Sequence, residues 1–526
     1  MNAPVRRDID VLIVGAGPTG LVLALWLAHM GARVRIVDKT SEPGTTSRAL
    51  GVQARTLELY RQVGLADAVV DNGCKALVAN FWVSGRPVAQ MPFGNIGTDL
   101  SPYPYAVIYP QDEHERLLIG ALAEVGVQVE RRTELAGFED MHDRVSARLK
   151  HENGVDEVCD ASFIAGCDGA RSLVREKLGI GFKGGQYQHL FYVADVEGRG
   201  KPFDGGIHVG LDVTDFLAVF PLKAEGRARL VGTIREEAEH DHANLSWNDV
   251  SKRVVDWMKI NVQRVNWFST YRVHHRVADH FRKGRAFILG DAAHIHSPVG
   301  AQGMNTGIGD AINLAWKLAA VVHGRASAAI LDTYEPERIA FARRLVATTD
   351  KAFTAVSSDG AIARLLRLRI APVLIPPLFK LTAVRRFAFR TLSQTAVNYR
   401  GSSLSEGRAG KIRGGDRLPW IENANDGGDN FKPLASTDWQ VHVYGEAVSE
   451  LASMCRERSL PLHVFPWRSP MERAGFCRTA IYLIRPDGYV GLADPAGSAK
   501  AVASYLEARK ITPAPQPRER HIAAIT

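Results

Sequence analysis

The chain has 526 residues, of which 46% are hydrophobic and 23% charged, with a formal net charge of +8. That composition excludes a disordered or low-complexity chain and leaves room for about two to four domains with ordinary cores. Lysine and arginine are spread along the chain, so the positive balance favours small anionic ligands over nucleic acid.

The five cysteines (Cys74, Cys159, Cys167, Cys455, Cys477) form no C-x-x-C pair and no zinc spacing. Free thiols in a reducing cytoplasm are the expectation. The basic start MNAPVRRDID runs into a glycine-rich strand rather than a signal-peptide core, and no apolar run reaches the ~18 residues a bilayer span needs. No membrane partner is expected on that basis.

The first element is VLIVGAGPTG, Val11 to Gly20. Four apolar residues read as a buried strand, Gly15, Gly17 and Gly20 supply G-x-G-x-x-G, and Leu21 to Leu27 reads as a helix. Gly15 permits a sharp turn, Gly17 lets a diphosphate approach the backbone, and Gly20 allows close helix–strand packing. The helix N-terminus offers free N–H groups to an anion. Ala32 to Val37 reads as the second strand, ending at Asp38, an acid placed about 20 residues on to accept ribose hydroxyls and repel a 2′-phosphate. The pattern fits the adenosine of FAD or NAD.

Ser47 and Arg48 precede a helical pattern from Gln53 to Val63. Arg48 can reach back to a diphosphate as a permanently charged guanidinium, or serve as an exposed helix-entry residue. Residues 75–110 alternate like strands among many Pro and Gly. Gln111 opens the next helix, with Asp112 as N-cap and Glu115 three residues later. Residues 127–167 read as a meander whose last strand, Ala161 to Ala165, ends in the turn Cys167-Asp168-Gly169, followed by a short helix from Ser172 to Leu178.

Residues 186–275 alternate with period two and read as an antiparallel sheet able to roof a pocket. His208, Phe216, Phe220, Tyr271 and His274 are its candidate pocket residues, each also readable as core or surface. GRAFILGDAAH then ends a strand at Gly290-Asp291, and HSPVGAQGMN is a Gly-rich loop entering a long helix. Asp291 can accept from a polyol hydroxyl. Gly300, Gly303 and the N–H groups of Met304 and Asn305 can hold a carbonyl or an anionic ring. His294 and His296 lie two apart without a third ligand at a sensible spacing, so no metal is expected. Residues 325–400 look helical. Ile362 to Arg390 alternates apolar residues with arginine, a pattern of packed helices or a homodimer contact in preference to a membrane surface. Gly401 to Pro419 reads as a linker to a small α/β domain of about 110 residues.

GAGPTG, the Cys167-Asp168-Gly169 turn and Gly290-Asp291 followed by PVGAQGMN, in that order, resemble the FAD-dependent aromatic hydroxylases, the single-component flavoprotein monooxygenases that include p-hydroxybenzoate hydroxylase and phenol hydroxylase. The resemblance covers residues 8–400. The last stretch, with its Arg485 to Gly488 RPDG turn, resembles the thioredoxin-like domain of the phenol hydroxylase branch, without a C-x-x-C. The fold class implied is α/β: a Rossmann-like FAD-binding domain (1–185 and 276–400, the latter with helices), an antiparallel β-sheet substrate domain (186–275) and a C-terminal thioredoxin-like domain (415–526).

The resemblance implies bound FAD, with Gly15, Gly17, Pro18, Thr19 and Gly20 at the diphosphate, Asp38 and Lys39 at the adenosine ribose, and Arg48 and Gln111 near the diphosphate and ribityl chain. Asp168 serves FAD and a visiting NADPH or NADH, Asp291 the ribityl chain, and Gly303, Met304 and Asn305 the flavin ring. Pro298 lies between flavin and substrate. It implies hydride transfer to the flavin, reaction with O2 to a flavin hydroperoxide, and oxygen transfer to a phenolic or polycyclic aromatic ring. Leu50 stands where phenol hydroxylase has an aspartate that helps deprotonate the phenol, so the base is unassigned. Two alternatives are another flavoprotein oxidoreductase on this scaffold, decarboxylating or ring-cleaving, and a non-catalytic escort protein of the same fold.

Overall fold

The computed structural model describes residues 9–44, 49–92, 96–211, 216–234, 245–296, 300–357, 370–423 and 428–514. The chain divides into two units, one of residues 1–315 and 338–396, the other of residues 316–337 and 397–526.

The first unit holds two large sheets. The first runs Arg282–Lys283, Ala286–Ile288, Asp156–Gly166, Ile9–Val14, Val34–Val37, Val129–Glu130, with the meander strands Thr133–Asp140 and Val145–His151 attached through Asp156–Gly166. From Ala286–Ile288 to Val129–Glu130 the pairing is parallel. Parallel strands covered on both faces need continuous apolar runs, and Val11, Leu12 and Ile13 are fully buried. The helix Pro18–His29 that follows is buried from Gly20 to Leu27. Val14 pairs with Gly166, and Gly166 with Ile288. The glycine turn, the Cys167 turn and the Gly290 turn therefore leave from the carboxyl ends of three neighbouring strands, where open α/β sheets bind ligands.

The second sheet runs His294–Ile295, Asn261–Ala278, Phe182–Arg199, Arg227–Ile234, Phe216–Pro221, Ile207–Leu211, Val78–Val83, Arg86–Pro92. It is antiparallel except where Ile207–Leu211 meets Val78–Val83. The expected substrate layer at 186–275 thus recruits two strands from 78–92. Period-two alternation gives the sheet two faces. Tyr192, Ala194, Leu217, Val219 and Leu230 pack with Val254 and Val255 on one side. Phe191, Val193, Ala218, Val231 and Val273 form the other.

In the second unit a six-stranded sheet runs Ile412–Arg413, Glu406–Ala409, Val490–Asp494, Ile481–Ile484, Gln440–Tyr444, Leu462–Phe465. Two of these strands lie inside the stretch expected to be a linker, which is therefore folded. Its glycines serve contact rather than flexibility: a Cβ on Gly407, at φ +74°, would lie 2.3 Å from the Ala493 carbonyl oxygen. Arg485, fully buried, pairs with Glu337 at 2.8 Å and Asp487 at 2.7 Å, and Lys317 reaches Glu337 at 2.9 Å. Burial pushes the Lys317 ammonium down to about 8.

Candidate active site

Gly15 has φ +102°, and a Cβ there would lie 2.3 Å from the Cys167 carbonyl oxygen. A Cβ on Gly20 would lie 2.0 Å from the Gly15 carbonyl oxygen. A Cβ on Gly17 would meet nothing within 4 Å. Two glycines thus close the turn and the third leaves open space in front of a helix start that no side chain caps. Gly17, Pro18 and Thr19 line a cavity there.

The three turns are fastened to one another. Gly15 packs on Cys167. The Thr19 hydroxyl occupies the space that Gly290 and Gly307 leave by lacking a Cβ, which would stand 2.6 and 2.3 Å from it. Arg175, on the short helix that follows Asp168, donates to the Ala292 carbonyl at 2.8 Å. The three turns thus converge in the structure.

Asp38 closes the second strand. Its Oδ2 accepts from the Ala16 amide at 2.7 Å, and its Oδ1 accepts from the Thr40 amide and hydroxyl at 2.8 and 2.7 Å. These bonds aim the carboxylate at the turn and leave lone pairs for further donors. Lys39 beside it is exposed. Gln111 is the first residue of the helix Gln111–Glu124, whose N-cap is Pro110 rather than the expected Asp112. Gln111 lines the cavity and donates to Glu115 at 2.8 Å. Glu115, buried and with its carboxyl raised chiefly by that burial, also accepts from the Gly44 amide at 3.2 Å. Glu115 thereby ties Gln111 to Gly44, beyond the capping role that its spacing from Asp112 suggests.

At the second turn Cys167, Gly169 and Ala170 line the cavity. The Asp168 carboxylate points instead to the helix behind it, where Oδ2 accepts from the Val174 amide at 3.1 Å. Asp168 Oδ1 is buried without a hydrogen-bond partner among the described residues, and burial raises the carboxyl above its ordinary range.

At the third turn Asp291 is exposed and lines the cavity. Behind it Asp310, fully buried, accepts from His294 Nε2 at 2.6 Å, Arg338 Nε at 2.6 Å and the Gly290 amide at 3.0 Å. Arg338 and His294 hold its carboxyl below the ordinary range against the effect of burial. His294 is thereby committed to Asp310, while His296 lies against Gly303. Gly303 and Met304 line the cavity at the start of the helix Gly303–Val322. Asn305 is expected to meet the flavin ring through its backbone N–H, and its side chain is engaged elsewhere. Its Oδ1 accepts from the Gln53 amide at 2.9 Å and the Thr56 hydroxyl at 2.8 Å, and its Nδ2 donates to the Gly51 carbonyl at 2.7 Å. The side chain clamps the helix start to residues 51–56 and is absent from the cavity wall. Arg48 and Pro298 lie outside the described residues.

The cavity measures about 900 Å³ and continues to the second sheet. Phe191, Phe216, Phe220, Val231 and Tyr271 give it an aromatic and aliphatic wall, with Thr233, Arg272 and His274 as polar groups. His208 faces the other way: its ring is fully buried, accepts from Trp82 Nε1 at 3.0 Å and meets Asp204 at 2.8 Å. Strand alternation puts it opposite Phe216 and Phe220. Leu50 lines the cavity, and the only carboxylate among the described lining residues is Asp291. The groups present suit FAD: an open glycine cradle at a helix start and a glycine-rich helix entry line one cavity, and an acid at the second strand end is held against the glycine turn.

A family model described as "FAD binding domain" matches residues 8–349. The chain belongs to this FAD-binding family. It is 32% identical over 515 residues to a flavin-dependent monooxygenase of Mycobacteroides abscessus, covering 95% of this chain and 99% of that one. It is 37% identical over 408 residues to a 6-methylpretetramide 4-monooxygenase of Streptomyces rimosus, covering 76% and 71%. Among solved structures it is similar to the OxyS anhydrotetracycline hydroxylase of Streptomyces rimosus, with a TM-score of 0.76, 27% identity and coverage of 97% and 100%. The chain is an FAD-dependent monooxygenase, a flavoprotein enzyme with a Rossmann-type FAD-binding domain. Among the described residues no helix is long and apolar enough to cross a membrane.

Proposed function

We propose that this monooxygenase uses NADPH or NADH and O2 to hydroxylate a phenolic, fused-ring aromatic substrate. The observation that carries the reading is the single cavity of about 900 Å³ joining the glycine turn to an aromatic sheet face. It has the open glycine cradle at one end and a broad apolar wall at the other, the usual balance of a ligand site being apolar with a few polar groups. The relatives named for 6-methylpretetramide and anhydrotetracycline support a fused-ring substrate.

When bound, FAD supplies the reductive activation of oxygen. The chain's own residues bind, orient and exclude. The open helix start at Gly17 to Thr19 receives the diphosphate, Asp38 the adenosine ribose, and Asp291 the ribityl chain. Gly303 and Met304 face the flavin ring. Phe191, Phe216, Phe220 and Tyr271 hold the aromatic substrate flat and keep water from the reacting atoms. With leucine at position 50, no carboxylate stands by the phenol there. His274, held below its ordinary pKa by burial and by Arg276 and His275, is a neutral proton acceptor at physiological pH. The nicotinamide cofactor visits: the other G-x-G-x-x-G of the chain, Gly179 to Gly184, runs into the strand Phe182–Arg199 instead of opening a helix and so offers no second dinucleotide cradle. Five scattered cysteines, none disulfide-bonded, support a reducing, cytoplasmic compartment. The second unit is read as a thioredoxin-like domain without redox chemistry.

The test is a panel of single-ring and fused-ring phenols, following NADPH and NADH oxidation with mass analysis of products. A fused-ring product heavier by one oxygen atom is expected. Loss of carbon dioxide without net oxygen gain, or nucleotide oxidation that yields only peroxide across the panel, would refute the reading.

A further inference from the structure

The helices Ala371–Lys380 and Thr382–Leu392 have two unlike sides. Their inner side is packed into the first unit. Phe379 stacks on Phe81 at 6.3 Å between ring centroids, and Phe389, 2% exposed, lines the cavity with Leu392.

The outer side is apolar as well. Val373, Leu374, Pro377, Leu378 and Leu381 follow helical spacing along one stripe and are exposed, and Phe387 on the next helix is 73% exposed. Between residues 370 and 392 the chain has four cations (Lys380, Arg385, Arg386, Arg390) and no acid. One of these, Arg386, pairs with Asp99 from outside the segment. The packing reading of this segment therefore accounts for its inner face alone.

We propose that this helical pair docks the enzyme on an anionic bilayer surface. A short basic helix pair with a continuous apolar stripe meets both requirements of interfacial binding, apolar side chains for the acyl boundary and cations for anionic headgroups. The charge decides between occupants. A second copy would bring the same cations against these, and like charges face each other poorly across an interface. An anionic headgroup layer complements them. The pair also forms part of the cavity wall, so docking brings that wall to the phase in which apolar aromatic molecules concentrate. The proposal concerns binding and does not depend on the substrate assigned above.

The FAD-loaded full chain is sedimented with phosphatidylcholine vesicles and with vesicles of phosphatidylcholine and phosphatidylglycerol in equal parts, at low and high salt. Binding to the anionic vesicles alone is expected, weakened at high salt. The double substitution Leu378→Ser, Phe387→Ser should weaken it about tenfold or more, with flavin content and circular dichroism unchanged. Val448→Ser, an exposed apolar residue of the other unit, should leave it unaltered. Failure to bind either vesicle, equal binding by the double variant, or a dimer that the double variant dissociates would each overturn the proposal.

Discussion

His294 Nε2 lies 2.6 Å from Asp310 Oδ2, and both side chains are buried behind the Gly290-Asp291 turn. Asp310 also holds the Gly290 amide and Arg338. The carboxylate thus fixes the turn that presents Asp291 to the cavity without lining the cavity itself. Asp310→Ala leaves a guanidinium and an imidazole buried without their acid, and the expected destabilisation is about 3–5 kcal/mol. A urea titration measures it. Flavin retained through gel filtration should fall as well, since Gly290 loses its anchor. Asp291→Ala should weaken flavin retention with little change in the stability of the apoprotein, which separates the residue facing the ligand from the one that positions it.

The glycines of the first turn should separate in the same way. Gly20→Ala drives a methyl into the Gly15 carbonyl, at a cost of about 2 kcal/mol or more in unfolding free energy. Gly17→Val meets empty space, so the apoprotein should lose at most about 1 kcal/mol. The visible flavin absorbance of the purified Gly17→Val protein should nonetheless disappear, because the valine fills the space the diphosphate needs. A yellow Gly17→Val protein would remove the cradle from the site.

Stability should depend on pH through His114. This side chain is fully buried beside the Tyr60 hydroxyl, and burial lowers it from 6.5 to about 4. Below pH 6.5 the unfolded chain takes up a proton that the folded chain does not. Stability is therefore complete above 6.5 and declines as pH falls toward about 4, by up to about 3 kcal/mol over that span. His442 in the other unit, also lowered by burial, acts in the same direction. The drop in Tm between neutral pH and about pH 5 should be smaller in His114→Gln than in the wild type. An unchanged drop would show that other groups govern the acid limb.

Ring number should be read by the second sheet. Val231 lines the cavity between Val193 and Ala218 in register. Val231→Phe narrows the broad end, so KM for a fused-ring phenol should rise about tenfold while a single-ring phenol changes little. Steady-state oxidation of the nicotinamide cofactor with the two substrates measures this. Equal effects on both would mean that the substrate lies elsewhere along the space.

Much of this was legible from residues alone, for physical reasons that differ by element. The parallel strands announce themselves because strands covered on both faces are largely apolar, and three of them end in a glycine-containing turn. Side-chain direction was less accessible. The Asp168 side chain accepts from a helix amide and the Asn305 side chain bridges to Gly51, Gln53 and Thr56, more than a hundred residues away in sequence, contacts that no local motif announces. His208 shares a sheet with Phe216 and Phe220 but lies on the opposite face, a distinction that depends on register across strands. The Gly-Ser-rich stretch after residue 401 was misread because glycine marks both flexible chain and backbone contact too close for a Cβ. The part played by Val78–Val83 and Arg86–Pro92 in the second sheet depended on a parallel pairing to a strand more than a hundred residues later, which local pattern cannot foresee.

The buried cluster of Lys317, Glu337, Arg485 and Asp487 has a consequence for anyone wishing to trim the protein. Its members come from both sides of the 338–396 insertion, so the C-terminal unit is threaded through the polypeptide rather than appended to it. A gene cut after residue 396 would strand Lys317 and Glu337 without their arginine. A gene begun at residue 397 would strand Arg485 without its glutamate. Neither half is a natural module, and the two must be inherited, expressed and engineered as one.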